Sequence, residues 1–152
     1  MIKKQEAKQY NKFILTSKDL LKDPVSQFDK WFNEAIAENI SIPEAMTLST
    51  ADHEGKVSSR IVLLKDVIEE DFIFFSNYKS RKGQQLEQNQ YASLLFFWPD
   101  FERQIRIEGL INKTDSSISD HYFHSRPYES QAAACISPQS EPIAERVELE
   151  QK

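Results

Sequence analysis

Two-residue alternation of apolar and polar positions dominates the middle of this chain, and it predicts a mainly β fold. Short apolar runs are separated there by turn-forming residues, which is the pattern typical of strands. Five stretches fit it: AMTLSTA, VSSRIVLLKDV, DFIFFS, YASLLFFW and FERQIRIEGLI. Because most of them are joined by short connections, they predict an antiparallel barrel with helices packed outside.

Helical spacing occurs on both sides of these strands. Asp23 and Pro24 have the character of a cap and a first-turn proline, and Phe28, Trp31 and Phe32 follow on one face. Four more segments predict helices: SRKGQQLEQN, DSSISDHYFHS, PYESQAAAC and EPIAERVELEQK. The core of the barrel is therefore expected to be covered by the apolar stripe of the first helix.

Composition limits the possible functions. The chain has 152 residues, a net charge of −5 and three glycines, so neither a broad nucleic-acid surface nor a Gly-rich dinucleotide loop is expected. The polar, Lys-rich residues 1–22 predict a mobile arm, and residues 23–152 predict one domain. With one cysteine, no secretory signal and no run of about 20 apolar residues, we expect a cytoplasmic protein that does not enter membranes.

The segment RIVLLK places a cation at each end of an apolar run. The run, residues 61–64, predicts a buried strand, and Arg60 and Lys65 flank it. Five positions separate the two cations, so in a strand they point to opposite faces and lie about 16 Å apart. This arrangement suggests two separate anionic groups, one on each side of the strand.

The segment SNYKSRKGQQ carries cations where a helix disfavours them. Ser80 is a natural N-cap, and Arg81 and Lys82 follow in the first turn, where the helix dipole is already positive. A bound phosphate would turn this cost into an advantage, because free backbone N–H groups and two cations would surround it. Two solvated surface cations are the alternative interpretation.

Two further polar groupings are open to a structural and a functional interpretation. Gln104 shares one strand face with Arg106, which is consistent with solvent exposure or with a pocket for a heterocycle. Tyr122, Arg126 and Ser130 surround a helix start, which is consistent with a second phosphate site or with an exposed, capped helix. No metal site is expected, because the histidines lack a third ligand at suitable spacing.

Five ordered motifs, RIVLLK, SNYKSRK, FERQIRIEG, YFHSRPYESQ and SPQS, resemble the pyridoxamine 5'-phosphate oxidase family from about Asp23 to Ser140. The resemblance implies a homodimeric split β-barrel with FMN in a cleft between subunits. It also implies oxidation of pyridoxamine or pyridoxine 5'-phosphate to pyridoxal 5'-phosphate in vitamin B6 salvage, with O2 as acceptor and hydrogen peroxide as product. A non-catalytic FMN or pyridoxal phosphate binding protein is the alternative.

The resemblance also implies roles for individual residues, none of them a catalytic acid or base. Gln139 and Ser140 are expected to reach FMN from the other subunit. The positions implied for FMN are Arg60, Ile61, Val62, Leu63, Leu64, Lys65, Phe75, Ser76, Arg81, Lys82, Gln104, Gln139 and Ser140. Those implied for the substrate are Lys65, Tyr122, Arg126 and Ser130.

Two parts of the chain depart from the family pattern. An Arg-rich arm that ends in tyrosine is common in the family, whereas this chain has Tyr10 with Lys8 nearby and no arginine. The family continues to a Trp-Gly-Gly segment and an Arg-x-His motif, and the sequence ends at Lys152 without them. The expectation from the sequence is a chain that binds FMN and pyridoxal 5'-phosphate but oxidises substrate slowly.

Overall fold

A computed structural model describes residues 14–143 and 145–147 of the chain. The strands are β1 Ala45–Ala51, β2 Val57–Leu63, β3 Asp66–Ile68, β4 Asp71–Ile73, β5 Tyr91–Trp98 and β6 Arg103–Leu110. The helices are α1 Pro24–Ala37, α2 Arg81–Gln88, α3 Ser116–Ser125 and α4 Tyr128–Ile136, and a 3-10 turn covers Pro99–Phe101. None of the helices within the described ranges is long and apolar enough to cross a membrane.

All strand pairs are antiparallel, as the sequence predicts. Four strands form one sheet in the order β2-β1-β5-β6, and β3 and β4 form a separate hairpin. The four-stranded sheet has an inner face that is covered by the core and an outer face that is largely exposed. In β1 this gives strict alternation, with Met46, Leu48 and Thr50 buried on the inner face.

The core lies between α1 and the inner face of the sheet. Asp23 caps α1 by accepting a 2.7 Å hydrogen bond from the Ser26 backbone N–H, which fixes the start predicted from the sequence. Phe28 of α1 then packs on β5, with ring centroids 5.1 Å from Phe96 and 6.3 Å from Trp98. This aromatic cluster holds the helix on the sheet.

The predicted strand VSSRIVLLKDV is wrong as one element, because the chain changes pairing partner in its middle. The Leu64 N–H donates to the Glu44 carbonyl next to β1, whereas the Lys65 N–H donates to Ile73 of β4. The predicted strand DFIFFS is also too long, since β4 ends at Ile73, opposite the first residue of β3. The chain therefore passes from one sheet to the other at Leu64 and Lys65.

Residues 61–64 are not the buried run that the sequence predicts. Ile61 lies on the outer face with 63% of its surface exposed, and Leu63 is also exposed, whereas Leu64 is buried. The cause is period-two alternation in a strand that has only one covered face.

Several predictions concern the chain ends. Tyr10, Lys8 and most of the predicted arm lie outside the described residues, as does half of the predicted helix EPIAERVELEQK. Within the described part of the arm, the Leu21 N–H donates to Gln27 Oε1 at 2.7 Å, which joins this segment to α1.

Candidate functional site

Arg60 points to the inner face of β2 and is held there by neutral partners. Its Nη1 donates to the Leu48 carbonyl at 3.1 Å and to Thr50 Oγ1 at 2.8 Å, and its Nη2 donates to Ser58 Oγ at 2.6 Å. Gln85 of α2 accepts from the same hydroxyls, at 2.6 Å from Thr50 Oγ1 and 2.7 Å from Ser58 Oγ. The guanidinium is thus fixed in position while its charge stays uncompensated by these groups.

Lys82 is the second cation of this site, and it is only 8% exposed. Its Nζ donates to Ser80 Oγ and to Gln139 Oε1, both at 3.1 Å. Burial, and then the charge of Arg60, lower the pKa of Lys82. Burial, and then the charge of Arg81, lower the pKa of Arg60. Both lowered pKa values have the same meaning: keeping these two groups charged side by side costs free energy.

No carboxylate among residues 14–143 and 145–147 lies within ion-pairing distance of Arg60 or Lys82. Buried cations are normally paired, because removing a charge from water is costly. A pair of cations held by neutral groups is therefore suited to an external anion. We call Arg60, Lys82 and the N-terminal turn of α2 the anion site.

The backbone before α2 is shaped closely around this site. Ser80 caps the helix, because its Oγ accepts from the Gly83 N–H at 3.4 Å. The Ser80 N–H and Oγ both donate to the Asn77 carbonyl, at 3.1 and 2.6 Å. A Cβ on Gly83 would lie 2.1 Å from the Tyr78 carbonyl oxygen, so only glycine allows this approach. The helix N-terminus and its dipole are thus fixed beside the two cations.

We expect anion binding at this site to weaken as the pH rises through the pKa of Lys82. Because this pKa is lowered, the weakening should begin at a lower pH than for an ordinary lysine. The ammonium attracts an anion only below that pKa, and a bound anion raises it again. Sulfate, which keeps its charge over this range, is a suitable probe in thermal-shift titrations. Lys82→Arg should remove the pH dependence, and an identical pH profile in both proteins would contradict the role of Lys82.

Lys65 and Tyr122, two of the predicted substrate residues, come together at a second cluster. The Lys65 ammonium lies 5.9 Å from the centre of the Tyr122 ring. That ring stacks on Phe75, with centroids 3.9 Å apart and planes 4° apart. Arg126 and Ser130, the other two predicted substrate residues, are half-buried. Their side chains make no hydrogen bond or ion pair within the described ranges.

Gln104 is not brought to the anion site of its own chain. It lies exposed on the outer face of β6, opposite Phe97 of β5. Arg60 is on the inner face of β2, and β2 and β6 are the two edges of the sheet. Gln104 and Arg60 therefore lie on opposite faces and at opposite edges of the sheet.

Gln139 Oε1 accepts a hydrogen bond from Lys82 of its own chain, and its expected contact with FMN of the other subunit stays a prediction. Ser140 is exposed beside it, with a left-handed backbone at φ 73°. The remaining implied FMN residues divide by exposure: Ile61, Leu63, Lys65 and Arg81 are exposed, Val62, Phe75 and Ser76 are half-buried, and Leu64 is buried.

The sequence interpretation missed the neutral groups that hold Arg60. Ser58 precedes Arg60 by two positions in β2, so their shared face was visible in the sequence. Gln85 follows Lys82 by three positions in α2, and this spacing also places them on one side. Thr50, by contrast, reaches Arg60 across the sheet, which spacing alone does not reveal.

Comparison with known proteins agrees with the motifs. Residues 32–152 match the family model described as pyridoxamine 5'-phosphate oxidase. The chain is 49% identical over 143 residues to the pyridoxine/pyridoxamine 5'-phosphate oxidase of Leptospira interrogans, covering 94% of this chain and 67% of that protein. It is 50% identical over 141 residues to the enzyme of the same name from Bordetella pertussis, covering 93% and 67%. The chain thus spans about two thirds of the length of these relatives.

Solved structures show the same fold. PhzG from Burkholderia lata, in complex with tetrahydrophenazine-1-carboxylic acid, superposes with a TM-score of 0.86 at 26% identity, over 91% of this chain and 69% of PhzG. A pyridoxamine 5'-phosphate oxidase-related, FMN binding protein from Nostoc punctiforme has a TM-score of 0.66 at 16% identity, over 86% and 73%. The predicted split β-barrel is confirmed, and the chain belongs to the pyridoxamine 5'-phosphate oxidase family.

Proposed function

We propose that this chain binds FMN and uses it to oxidise pyridoxamine or pyridoxine 5'-phosphate to pyridoxal 5'-phosphate, with O2 as acceptor and hydrogen peroxide as product. The observation that carries the proposal is the anion site, where Arg60 and Lys82 are held without a carboxylate. A third cation, Lys65, lies beside Tyr122 at the other cluster. Two phosphorylated molecules, cofactor and substrate, would account for both.

The residues of the anion site fit the phosphate of FMN. Arg60 offers a planar guanidinium, Lys82 an ammonium, and the first turn of α2 free backbone N–H groups. Gln139 already accepts from Lys82 in this structure, and a phosphate oxygen is a stronger acceptor at the same ammonium. These groups would fix one end of the cofactor and so orient its ring system.

FMN, when bound, would supply the acceptor for a hydride from the substrate carbon and pass the electrons to O2. With the amine substrate, water would then hydrolyse the resulting imine to the aldehyde and release ammonia. The chain's own residues would bind and orient. Lys65 and the Tyr122 hydroxyl would hold the substrate phosphate, with Arg126 and Ser130 completing the set. No side chain is assigned a proton transfer, so the protein would contribute mainly by positioning.

We further propose that two chains associate through the outer face of the sheet. Exposed apolar side chains cover much of this face: Val57, Ile61, Leu63, Tyr91, Phe97 and Leu110. Several large apolar side chains exposed on one face of a sheet are typical of an interface. Association would also give Gln104 a role, because it lies on this face and away from the anion site of its own chain. It would then serve the FMN of the partner.

Phe97→Lys should therefore shift the chain from dimer to monomer in light scattering, because it places a charge on the exposed apolar face. The matched control is Tyr128→Lys on α4, where the ring is 84% exposed and away from the sheet. Unchanged dimers in Phe97→Lys, or an unmodified chain that is monomeric with FMN present, would contradict the proposed interface.

The proposed activity is tested by supplying the FMN-saturated chain with pyridoxamine 5'-phosphate in air. Formation of pyridoxal 5'-phosphate and hydrogen peroxide in equal amounts is expected, and pyridoxamine without phosphate should be a poor substrate. The phosphate comparison matters because PhzG, a structural relative, was solved with a ligand of a different class. Tight binding of both ligands without peroxide would instead support a non-catalytic FMN or pyridoxal phosphate binding protein.

The proposed location is the cytoplasm, where vitamin B6 salvage would use the product. Cys135 is a free, exposed thiol, and such a thiol is compatible with a reducing compartment.

A further inference from the structure

The Phe75–Tyr122 stack is the closest and most nearly parallel ring pair within the described ranges. The centroids are 3.9 Å apart and the planes differ by 4°. Phe75 lies in the loop after β4, and Tyr122 lies in the second half of α3. Both rings are half-buried. The stack therefore joins a helix to the barrel at the place where the proposed substrate residues meet.

The helix has little else to fix it there. No residue of α3 is buried, and its N-cap makes no side-chain hydrogen bond. Tyr122 could therefore take several orientations if its ring were not held. Because a flat stack restricts both the side-chain torsions and the tilt of the helix, Phe75 decides where the Tyr122 hydroxyl points.

Lys65 is hydrogen-bonded to the same stretch of backbone that carries Phe75. Its N–H donates to the Ile73 carbonyl at 2.8 Å, two residues before Phe75. Its ammonium then lies 5.9 Å from the Tyr122 ring centre. One short stretch of backbone after β4 thus carries the ring that orients Tyr122 and also anchors the residue that supplies the cation.

We infer that Phe75 is a positioning residue for substrate recognition: its ring holds Tyr122 so that the tyrosine hydroxyl and the Lys65 ammonium converge on the phosphate of the substrate. This inference rests on the proposed function, since it takes a phosphorylated pyridine as the ligand. It gives the ring of Phe75 a task beside its expected contact with the flavin, because Tyr122 stacks on one of its faces. The ring at position 75 therefore sets selectivity for phosphorylated over unphosphorylated substrate.

The test compares pyridoxal 5'-phosphate with pyridoxal, each titrated into protein saturated with FMN, so that a change in flavin affinity cannot imitate the effect. Phe75→Leu should weaken pyridoxal 5'-phosphate binding about tenfold, the upper range for losing an aromatic pair, and leave pyridoxal binding unchanged. Phe75→Tyr keeps the stack and should restore the preference. The control is Tyr128→Leu, an exposed ring that begins α4.

Each outcome decides the inference. An equal loss of both ligands in Phe75→Leu, or an unchanged preference, would overturn the role of Phe75 while leaving the proposed function intact. An unmodified chain that shows no preference for the phosphorylated ligand would overturn both.

In steady-state oxidation, Phe75→Leu should raise KM for pyridoxamine 5'-phosphate about tenfold with little change in kcat, because the lost contact holds the phosphate and not the reacting carbon.

Discussion

Lys82→Ala is expected to weaken FMN binding by about 1.5–3 kcal/mol, or roughly 10- to 150-fold, the range for hydrogen bonds to charged groups. The affinity for riboflavin, which lacks the phosphate, should not change. The reason is that Lys82 is placed by Ser80 and Gln139 toward the anion site and has no carboxylate partner in the described chain. Fluorescence titration with both flavins measures the difference directly.

Two controls separate charge from packing in this experiment. Lys82→Met keeps the buried stem and removes the charge, so it should lose FMN affinity as Lys82→Ala does. Lys79→Ala removes an exposed lysine from the turn just before α2 and should have little effect. Equal losses for FMN and riboflavin in Lys82→Met would contradict a phosphate contact.

Lys82→Met, which should weaken FMN binding, is expected to raise the stability of the chain without ligand. Because burial and Arg60 lower the pKa of Lys82, its charged form costs folding free energy at every pH below that lowered pKa. Lys82→Met removes this cost, so without ligand it should melt at a higher temperature than the original chain near neutral pH. With FMN the order should reverse, since only the original chain gains the phosphate contact.

Phe96→Ala is expected to lower the free energy of unfolding by about 3–5 kcal/mol, the range for truncating a large buried aromatic residue. Phe96 is fully buried and lies between Phe28 of α1 and Trp98 of its own strand, at ring distances of 5.1 and 5.8 Å. The substitution would leave a cavity where α1 packs on the sheet. Denaturant unfolding followed by tryptophan fluorescence measures the loss.

Two further variants make this result specific. Phe96→Leu keeps much of the apolar volume and should cost clearly less than Phe96→Ala. Tyr128→Ala removes an exposed ring and should stay within about 0.5 kcal/mol of the original chain. A loss below about 1 kcal/mol for Phe96→Ala would mean that the α1–sheet contact is not the core of the fold.

The elements that the sequence predicted best are those with local causes. AMTLSTA and YASLLFFW have the bounds of β1 and β5, because alternation and flanking turn residues act within each strand. The start of α1 follows from Asp23 and Pro24 alone. The break at Leu64 and Lys65 could not be predicted, since the apolar pattern continues through it and only the change of partner strand ends the pairing.

In the candidate site, too, features with local causes were predicted and features set by distant contacts were not. The cap at Ser80 and the cations after it were visible, but the sequence left open whether Lys82 is buried or exposed. Its ammonium bonds Gln139, which is 57 positions away, and no local spacing connects the two. The face of Gln104 was predicted correctly, whereas its distance from the anion site follows from the strand order β2-β1-β5-β6.

FMN-dependent oxidation is tested most directly by mixing the FMN-saturated chain with pyridoxamine 5'-phosphate in the absence of oxygen. We expect the absorbance of oxidised flavin to disappear, one pyridoxal 5'-phosphate to form for each FMN, and the absorbance to return when oxygen is admitted. Flavin that stays oxidised while pyridoxal 5'-phosphate still binds would contradict an oxidase and leave a binding protein.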